Sequence, residues 1–239
     1  MKIKKYNKNL EYSYTFGIYP TIELLKAKPE VVVKIISHSK LSSKDGLKLV
    51  STYIKNYSIT LECNDKLIQR LIPKENCYIV GIFKKYYPIL GKINNHVVLV
   101  NPNDSGNLGT IIRCMLAFDF NDLAIIRPAV DIFNPKTIRS SMGALFSINF
   151  QLFNSIVEYK EIFNNHNLYS FMTKGQSIFK KVNFKYPYSL IFGNESSGLS
   201  NEYKKLGNSV QILQSTRVDS LNLSISAGIV LHYLYIQGK

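Results

Sequence analysis

The chain has no tryptophan, three cysteines in 239 residues and four histidines. No apolar run approaches the ~18 residues needed to cross a bilayer. The basic opening, MKIKKYNKNLEYSY, is not followed by the apolar stretch of a secretory leader. These absences lead us to expect a cytoplasmic protein without membrane association. Cys63, Cys77 and Cys114 are odd in number, far apart, and flanked by neither CxxC nor clustered histidine. They read as reduced structural thiols, with no disulfide framework and no metal site. Acidic residues are also scarce, 16 against 30 Lys and Arg, for a formal net charge of +14. Residues 1 to 90 carry 16 Lys/Arg against 7 Asp/Glu, and residues 91 to 239 carry 14 against 9, so the excess is concentrated in the first part. Such an excess attracts polyanions and suits docking of nucleic acid. Compositional bias toward Lys, Asn, Ile and Tyr would instead scatter the charge over a solvated surface. No internal repeat or low-complexity tract occurs.

Up to about residue 90, helical and strand patterns alternate. Pro20 can open a short helix through Leu25, Val31 to Ile36 is β-branched, and Leu47 to Ile54 has helical spacing. Ser58 to Leu61 and Tyr78 to Phe83 read as strands, making a small α/β unit. Tyr87 to Asn95, with Pro88, Gly91 and two asparagines, is the candidate linker. A second series follows, with strands at Val97 to Val100, Leu123 to Ile126, Leu168 to Met172, Ser189 to Phe192 and Val210 to Leu213. Helices open near Asn107, span Lys136 to Met142, and close the chain from Leu221 to Ile236. Alternation of this kind predicts a parallel sheet covered by helices.

Three segments stand out: DSGNLGTIIR at 104 to 113, FGNESSGL at 192 to 199 and DSLNLSISAG at 219 to 228. The first joins a strand to a helix through Gly106 and Gly109, which invites a dinucleotide-binding assignment. That fingerprint needs GxGxxG and an acidic residue ending the next strand, whereas here the next strand ends in Ile126, Arg127 and Pro128. What remains is a helix N-terminus able to attract an anion, with Asn107 near the start and Arg113 further along. The second segment puts glycines and polar groups just beyond a parallel strand, where ligands bind in open α/β sheets. Taken singly, each segment is equally well explained by capping and ordinary loops.

Together and in this order, the three resemble the signature motifs of the SpoU/TrmH family of RNA 2′-O-ribose methyltransferases. The stretch FGIYPTIELLKAKPEVVVKIISHSK resembles the start of the small RNA-binding domain, similar to ribosomal protein L30e, that precedes many such catalytic domains. The resemblance implies an L30e-like α/β substrate-binding domain over 1–90 and a methyltransferase domain of the SPOUT class over 91–239, its parallel sheet closed by a deep trefoil knot. It implies S-adenosylmethionine as cofactor, RNA as substrate with the ribosomal branch favoured over tRNA, and a homodimer.

By the same resemblance Asn107, Arg113, Glu195, Ser220 and Asn222 belong to the catalytic centre, with Glu195 orienting Arg113. Gly193, Ile212 and Leu221 would meet the cofactor, and Arg139, Ser140 and Ser141 would shape the RNA-facing side. The chain departs from the family pattern at Leu213, Gln214 and Thr216, and at Asp119, where relatives have glycine. The rival readings are a non-catalytic RNA-binding module that retains the fold, and base methylation by a related knotted enzyme.

Overall fold

The computed structural model describes residues 3–41, 44–72 and 77–238. By packing, the chain divides into Met1–Tyr86 with Asp131–Ser147, and Tyr87–Val130 with Ile148–Lys239. In the first unit the elements are β1 (Tyr12–Tyr14), α1 (Ile18–Ala27), β2 (Val32–Ser37), α2 (Lys44–Asn56), β3 (Leu61–Cys63), α3 (Asp65–Leu71) and β4 (Ile79–Lys84). The sheet order is β1-β4-β2-β3, parallel between β2 and β3 and antiparallel elsewhere. Successive side chains of a strand face opposite ways, so the fully buried pair Ile35 and Ile36 enter different cores. Ile35 joins Ile22, Leu25 and Val50, while Ile36 joins Tyr14, Leu67 and Ile68. The expected strand at Ser58 to Leu61 lies slightly later, and β1 and α3 were too short to stand out in the pattern.

The segment Asp131–Ser147 packs within this first unit. The Ser13 hydroxyl donates to the Phe133 carbonyl (2.6 Å), and Tyr6 hydrogen-bonds Asp131. Gly143 has φ +89°, and a Cβ there would lie 2.7 Å from Glu23 Cβ and 3.0 Å from Pro20 Cα. Only glycine suits both its backbone and its neighbours.

The rest of the chain supplies β5 (His96–Val100), α4 (Ser105–Ala117), β6 (Asp122–Ile126), α5 (Pro135–Ser140, in the first unit), β7 (Asn149–Phe153) and α6 (Ile156–Ile162). It continues through β8 (Asn167–Phe171), β9 (Ser177–Ile178), β10 (Tyr188–Phe192), β11 (Asn208–Gln211) and α7 (Leu223–Gln237). The seven strands form one parallel sheet in the order β7-β6-β5-β10-β8-β11-β9. β5 and β6 are buried throughout, which explains their unbroken apolar runs. The candidate linker residues Tyr87 to Asn95 fall in this unit and are tied down at the start of the sheet. Asp122 accepts from Gly91 N (3.0 Å) and Asn94 Nδ2 (2.8 Å), and His96 Nε2 bonds the Gly91 carbonyl (2.8 Å). That carbonyl requires Nε2 to carry the ring proton, so Nδ1 accepts from the Tyr159 hydroxyl (2.8 Å). Burial holds His96 down at about 4, which keeps it neutral near pH 7. His96 therefore serves structure, as does His166, whose ring nitrogens bond Ser189 Oγ (2.9 Å) and the Lys92 carbonyl (3.1 Å).

Asp119, which departs from the family pattern, has φ +59° immediately after α4. The Phe120 amide reaches back to the Met115 carbonyl (2.9 Å), the closing bond of a helix that ends on a left-handed residue. Glycine enters that conformation without a Cβ penalty, whereas aspartate tolerates it at a cost. Asp119→Gly is expected to raise unfolding stability by about 0.5–1 kcal/mol. Urea titration would show this as a higher midpoint at unchanged slope, and an unchanged midpoint would contradict it.

Candidate functional site

β5 and β10 are neighbours in the sheet, with Ser189 to Phe192 in parallel register with His96 to Leu99. Beyond β5 the sheet continues into β6 and β7; beyond β10 it continues into β8, β11 and β9. The two strands thus flank the point at which the winding reverses, and ligands in open α/β sheets bind outside the carboxyl ends there. The first motif leaves β5 and the second leaves β10, so two segments about 90 residues apart emerge side by side.

Their polar groups interlock. The Glu195 carboxylate accepts from Asn103 N (3.1 Å), Asp104 N (3.2 Å) and Asn107 Nδ2 (3.3 Å). Asn107 Oδ1 in turn accepts from Asn222 Nδ2 (3.1 Å). Asn222 is the N-cap of α7, its Oδ1 taking Ser224 N (2.8 Å) and Ser224 Oγ (2.7 Å). One continuous chain of hydrogen bonds, Glu195 to Asn107 to Asn222, therefore joins all three motifs. Fixing both amide groups of Asn107 leaves it one orientation, and an anionic acceptor strengthens the Glu195 end. Asn107 is not the helix cap: Asp104 Oδ1 accepts its backbone amide (2.7 Å), placing Asn107 within the first turn of α4.

Arg113 lies on the exposed face of α4, two successive three-residue steps beyond Asn107. Among the described residues no hydrogen bond or ion pair joins it to Glu195, whose carboxylate is occupied by amides instead. Its guanidinium is open to an external anion.

Behind the network is a cavity of about 400 Å³. Gly193, Ile212, Leu221 and Ser220 all line it, as does Glu195. Phe171 and Phe192, stacked with centroids 4.8 Å apart, form an apolar wall. Gly193 is required by close approach: a Cβ there would lie 2.3 Å from the carbonyl carbon of Gly198 and 2.5 Å from Leu199 N. Gly198 itself has φ +65°. Asn194, which the sequence reading passed over, organises the loop. Its Oδ1 accepts from Ser196 N (2.9 Å) and Ser197 N (3.2 Å), while Nδ2 donates to the Asn101 carbonyl (2.7 Å). An asparagine two residues before Ser-Ser is the signal of such a turn. Of the departures from the family pattern, Leu213 is exposed, and Gln214 lines the cavity while closing its own loop onto the Val218 carbonyl (3.3 Å).

Arg139, Ser140 and Ser141 fall in the first unit. Ser141 is buried with Oγ donating to the Ile138 carbonyl (2.8 Å), and Ser140 Oγ is directed to the Lys136 carbonyl (3.0 Å). Arg139 is exposed.

Residues 94–232 match the SpoU rRNA Methylase family. The chain is 33% identical over 139 residues to an uncharacterized tRNA/rRNA methyltransferase of Synechocystis, covering 57% of this chain and 51% of that protein. It is 30% identical over 144 residues to the 23S rRNA (uridine(2479)-2′-O)-methyltransferase of Streptomyces viridochromogenes, covering 57% of this chain and 50% of that one. The chain thus spans about half the length of these two relatives. The crystal structure of the AdoMet-bound rRNA methyltransferase from Sinorhizobium meliloti superposes with a TM-score of 0.79 at 25% identity, covering 95% of this chain and 88% of that one.

Proposed function

Because the chain belongs to the SpoU rRNA Methylase family, we propose that it transfers a methyl group from S-adenosylmethionine to a ribose 2′-hydroxyl of RNA, with ribosomal RNA as substrate. The observation that carries this is the hydrogen-bonded union of Glu195, Asn107 and Asn222 at the edge of a cavity that Glu195 also lines.

The cavity suits the cofactor in size and chemistry. About 400 Å³ lies within the range of small-molecule sites, and aromatic walls beside loop main chain match an adenine ring with polar edges. Gly193, Ile212 and Leu221 would hold it, largely through backbone groups. S-adenosylmethionine supplies an electrophilic methyl group on a sulfonium. Transfer then needs the hydroxyl oxygen aligned and its proton removed. A guanidinium is a poor proton acceptor, so the part of Arg113 is to clamp a substrate phosphate and stabilise the developing alkoxide. Asn107, held by Glu195 and Asn222, and Ser220 at the cavity fix the position of the ribose. No described histidine lines the cavity.

The trefoil knot belongs to the same reading. Its support is that the segments around Gly193 to Leu199 and Ile212 to Leu221 wall one cavity together. Docking of RNA falls to the small first unit, whose sequence holds most of the excess positive charge and which includes exposed Arg139. Three unpaired thiols and an RNA substrate suit the cytoplasm. No helix among the described residues is long and apolar enough to cross a membrane.

The protein acts as a homodimer through α7. Ile225, Ile229 and Ile236 are 54%, 41% and 51% exposed and fall on one side of that helix by their i, i+4, i+11 spacing. A second copy would cover them. Ile225→Asp with Ile229→Asp is expected to convert dimer to monomer in sedimentation velocity at micromolar concentration. A monomeric unaltered chain would count against the dimer.

The function is tested by transfer of labelled methyl groups to unmodified ribosomal RNA and tRNA transcripts, followed by alkaline hydrolysis. A 2′-O-methyl group protects the adjacent phosphodiester, so the expected product is label in alkali-resistant dinucleotides from ribosomal RNA. Label on released bases would favour base methylation. No transfer and no cofactor binding would favour a non-catalytic RNA-binding module.

A further inference from the structure

One margin of the large sheet is rich in positive charge, with Glu202 and Asp219 at the borders of its basic segments. From Asn167 to Asn194 the sequence holds Lys174, Lys180, Lys181 and Lys185 and no Asp or Glu; from Tyr203 to Val218 it holds Lys204, Lys205 and Arg217, again with no acid. The pairing order puts these segments together, because β9 is the last strand of the sheet and pairs only with β11, Val210 beside Ser177 and Gln211 beside Ile178. All of these basic residues except half-buried Lys204 are exposed. Among the described residues none of their cationic groups has an ion-pair partner.

The margin is also hollowed. A groove of about 590 Å³ is bordered by Lys181, Lys185, Gln176, Asn183 and Asn208. Only its near end approaches the cofactor cavity, which Lys174 and Lys204 line: Gln176, two residues beyond Lys174, lines the groove, while Lys185, whose carbonyl accepts from Asn167 Nδ2 (3.0 Å), stands at the far end beside the start of β8. Two residues of chain span at most about 7 Å. Unpaired ammonium groups suit phosphates, and side-chain amides suit the sugar and base edges of an unpaired strand, which a duplex could not insert into such a groove.

The geometry points to this β9–β11 margin as the path of the RNA strand flanking the reacting ribose, with Lys181 and Lys185 holding its phosphates. The inference rests on the RNA methyltransferase reading above and adds where the substrate runs. Lysines also guard exposed sheet edges against pairing with other chains, and that role would leave RNA affinity untouched when they are neutralised.

The test compares the unaltered chain with Lys181→Gln/Lys185→Gln and Lys181→Arg/Lys185→Arg, using a ribosomal RNA transcript that the unaltered chain methylates. RNA affinity is measured across a salt series, and S-adenosylmethionine binding by calorimetry. Each phosphate contact to a single strand contributes about 0.7 to the slope of log affinity against log salt, so the double glutamine variant is expected to lose about 1.4 of that slope. Its cofactor affinity should be unchanged, and the arginine pair should keep the slope. A glutamine variant with the slope and affinity of the unaltered chain would overturn this path alone. Failure of the unaltered chain to bind or methylate any RNA would overturn the functional reading, and the path with it.

Discussion

Arg113→Ala is expected to slow methyl transfer by about 10²- to 10³-fold while leaving S-adenosylmethionine affinity unchanged. The magnitude is that of removing one preorganised group that stabilises charge developing in a transition state. The location supports so clean a separation. Arg113 stands on the exposed face of α4, outside the residues that line the cavity, and no described neighbour takes its charge. Its removal would therefore delete the proposed contact to substrate without breaking a described hydrogen bond or ion pair within the protein. Arg113→Lys should restore only part of the rate, because an ammonium is a point charge and cannot grip a phosphate with two parallel N–H groups. Single-turnover rates on a ribosomal RNA transcript, with cofactor binding by calorimetry, would decide it. Near-normal turnover in the lysine variant would show that simple charge suffices and would sink the clamp.

The second large effect is expected at Gly193. A single methyl group there would be forced to within 2.3 Å of the Gly198 carbonyl carbon and 2.5 Å of both the Gly198 oxygen and Leu199 N. All three are backbone atoms, so no side-chain rotation relieves the clash, and the loop from Asn194 to Leu199 must move. That loop walls the cavity and positions Glu195, so displacing it disturbs the cofactor site and the Glu195–Asn107 contact together. Gly193→Ala is expected to weaken cofactor binding by about 100-fold or more and to lower stability by about 1–3 kcal/mol, the usual cost of forcing an extra carbon into a packed place. Gly198→Ala provides the contrast. Nothing lies within 4 Å of a Cβ at Gly198, so the penalty there is only the left-handed backbone at φ +65°, about 1–2 kcal/mol, with the cavity preserved. Calorimetry on both variants separates the two causes. Equal loss of cofactor affinity in the two would remove close approach as the reason for glycine at 193.

Much of the large sheet was legible because its strands are buried on both faces and so read as continuous apolar runs. β5, β6, β8 and β10 lie within one residue of their expected positions, and α7 begins two residues later than expected. β7 was passed over although the alternation at the start of NFQLF is itself a strand signal, and α6 was missed because a seven-residue helix barely completes two turns. Its start was nonetheless marked, since Ser155 accepts from Glu158 N (3.1 Å) and Glu158 accepts from Asn154 N (2.6 Å). The attachment of Asp131–Ser147 to the first unit left no trace in local pattern. It depends on contacts such as Ser13 with Phe133, which join residues 120 positions apart.

The sequence alone supplied the candidates for chemistry at this site: its three motifs contained Asn107, Arg113, Gly193, Glu195 and Asn222, and their order and spacing indicated the family. It also determined the strands and helices that carry them, since burial periodicity is a local property of the chain. Only the tertiary structure decided which partner each residue takes. Sequence pattern cannot specify that β5 lies beside β10, because strand order depends on how the whole chain packs. Once that neighbour is chosen, Glu195 faces backbone amides and Asn107 rather than Arg113, and Asn222 closes the chain of hydrogen bonds from the start of α7. These contacts span 88 to 115 positions and hold over roughly 3 Å, a scale at which folding, not spacing along the chain, sets the distance.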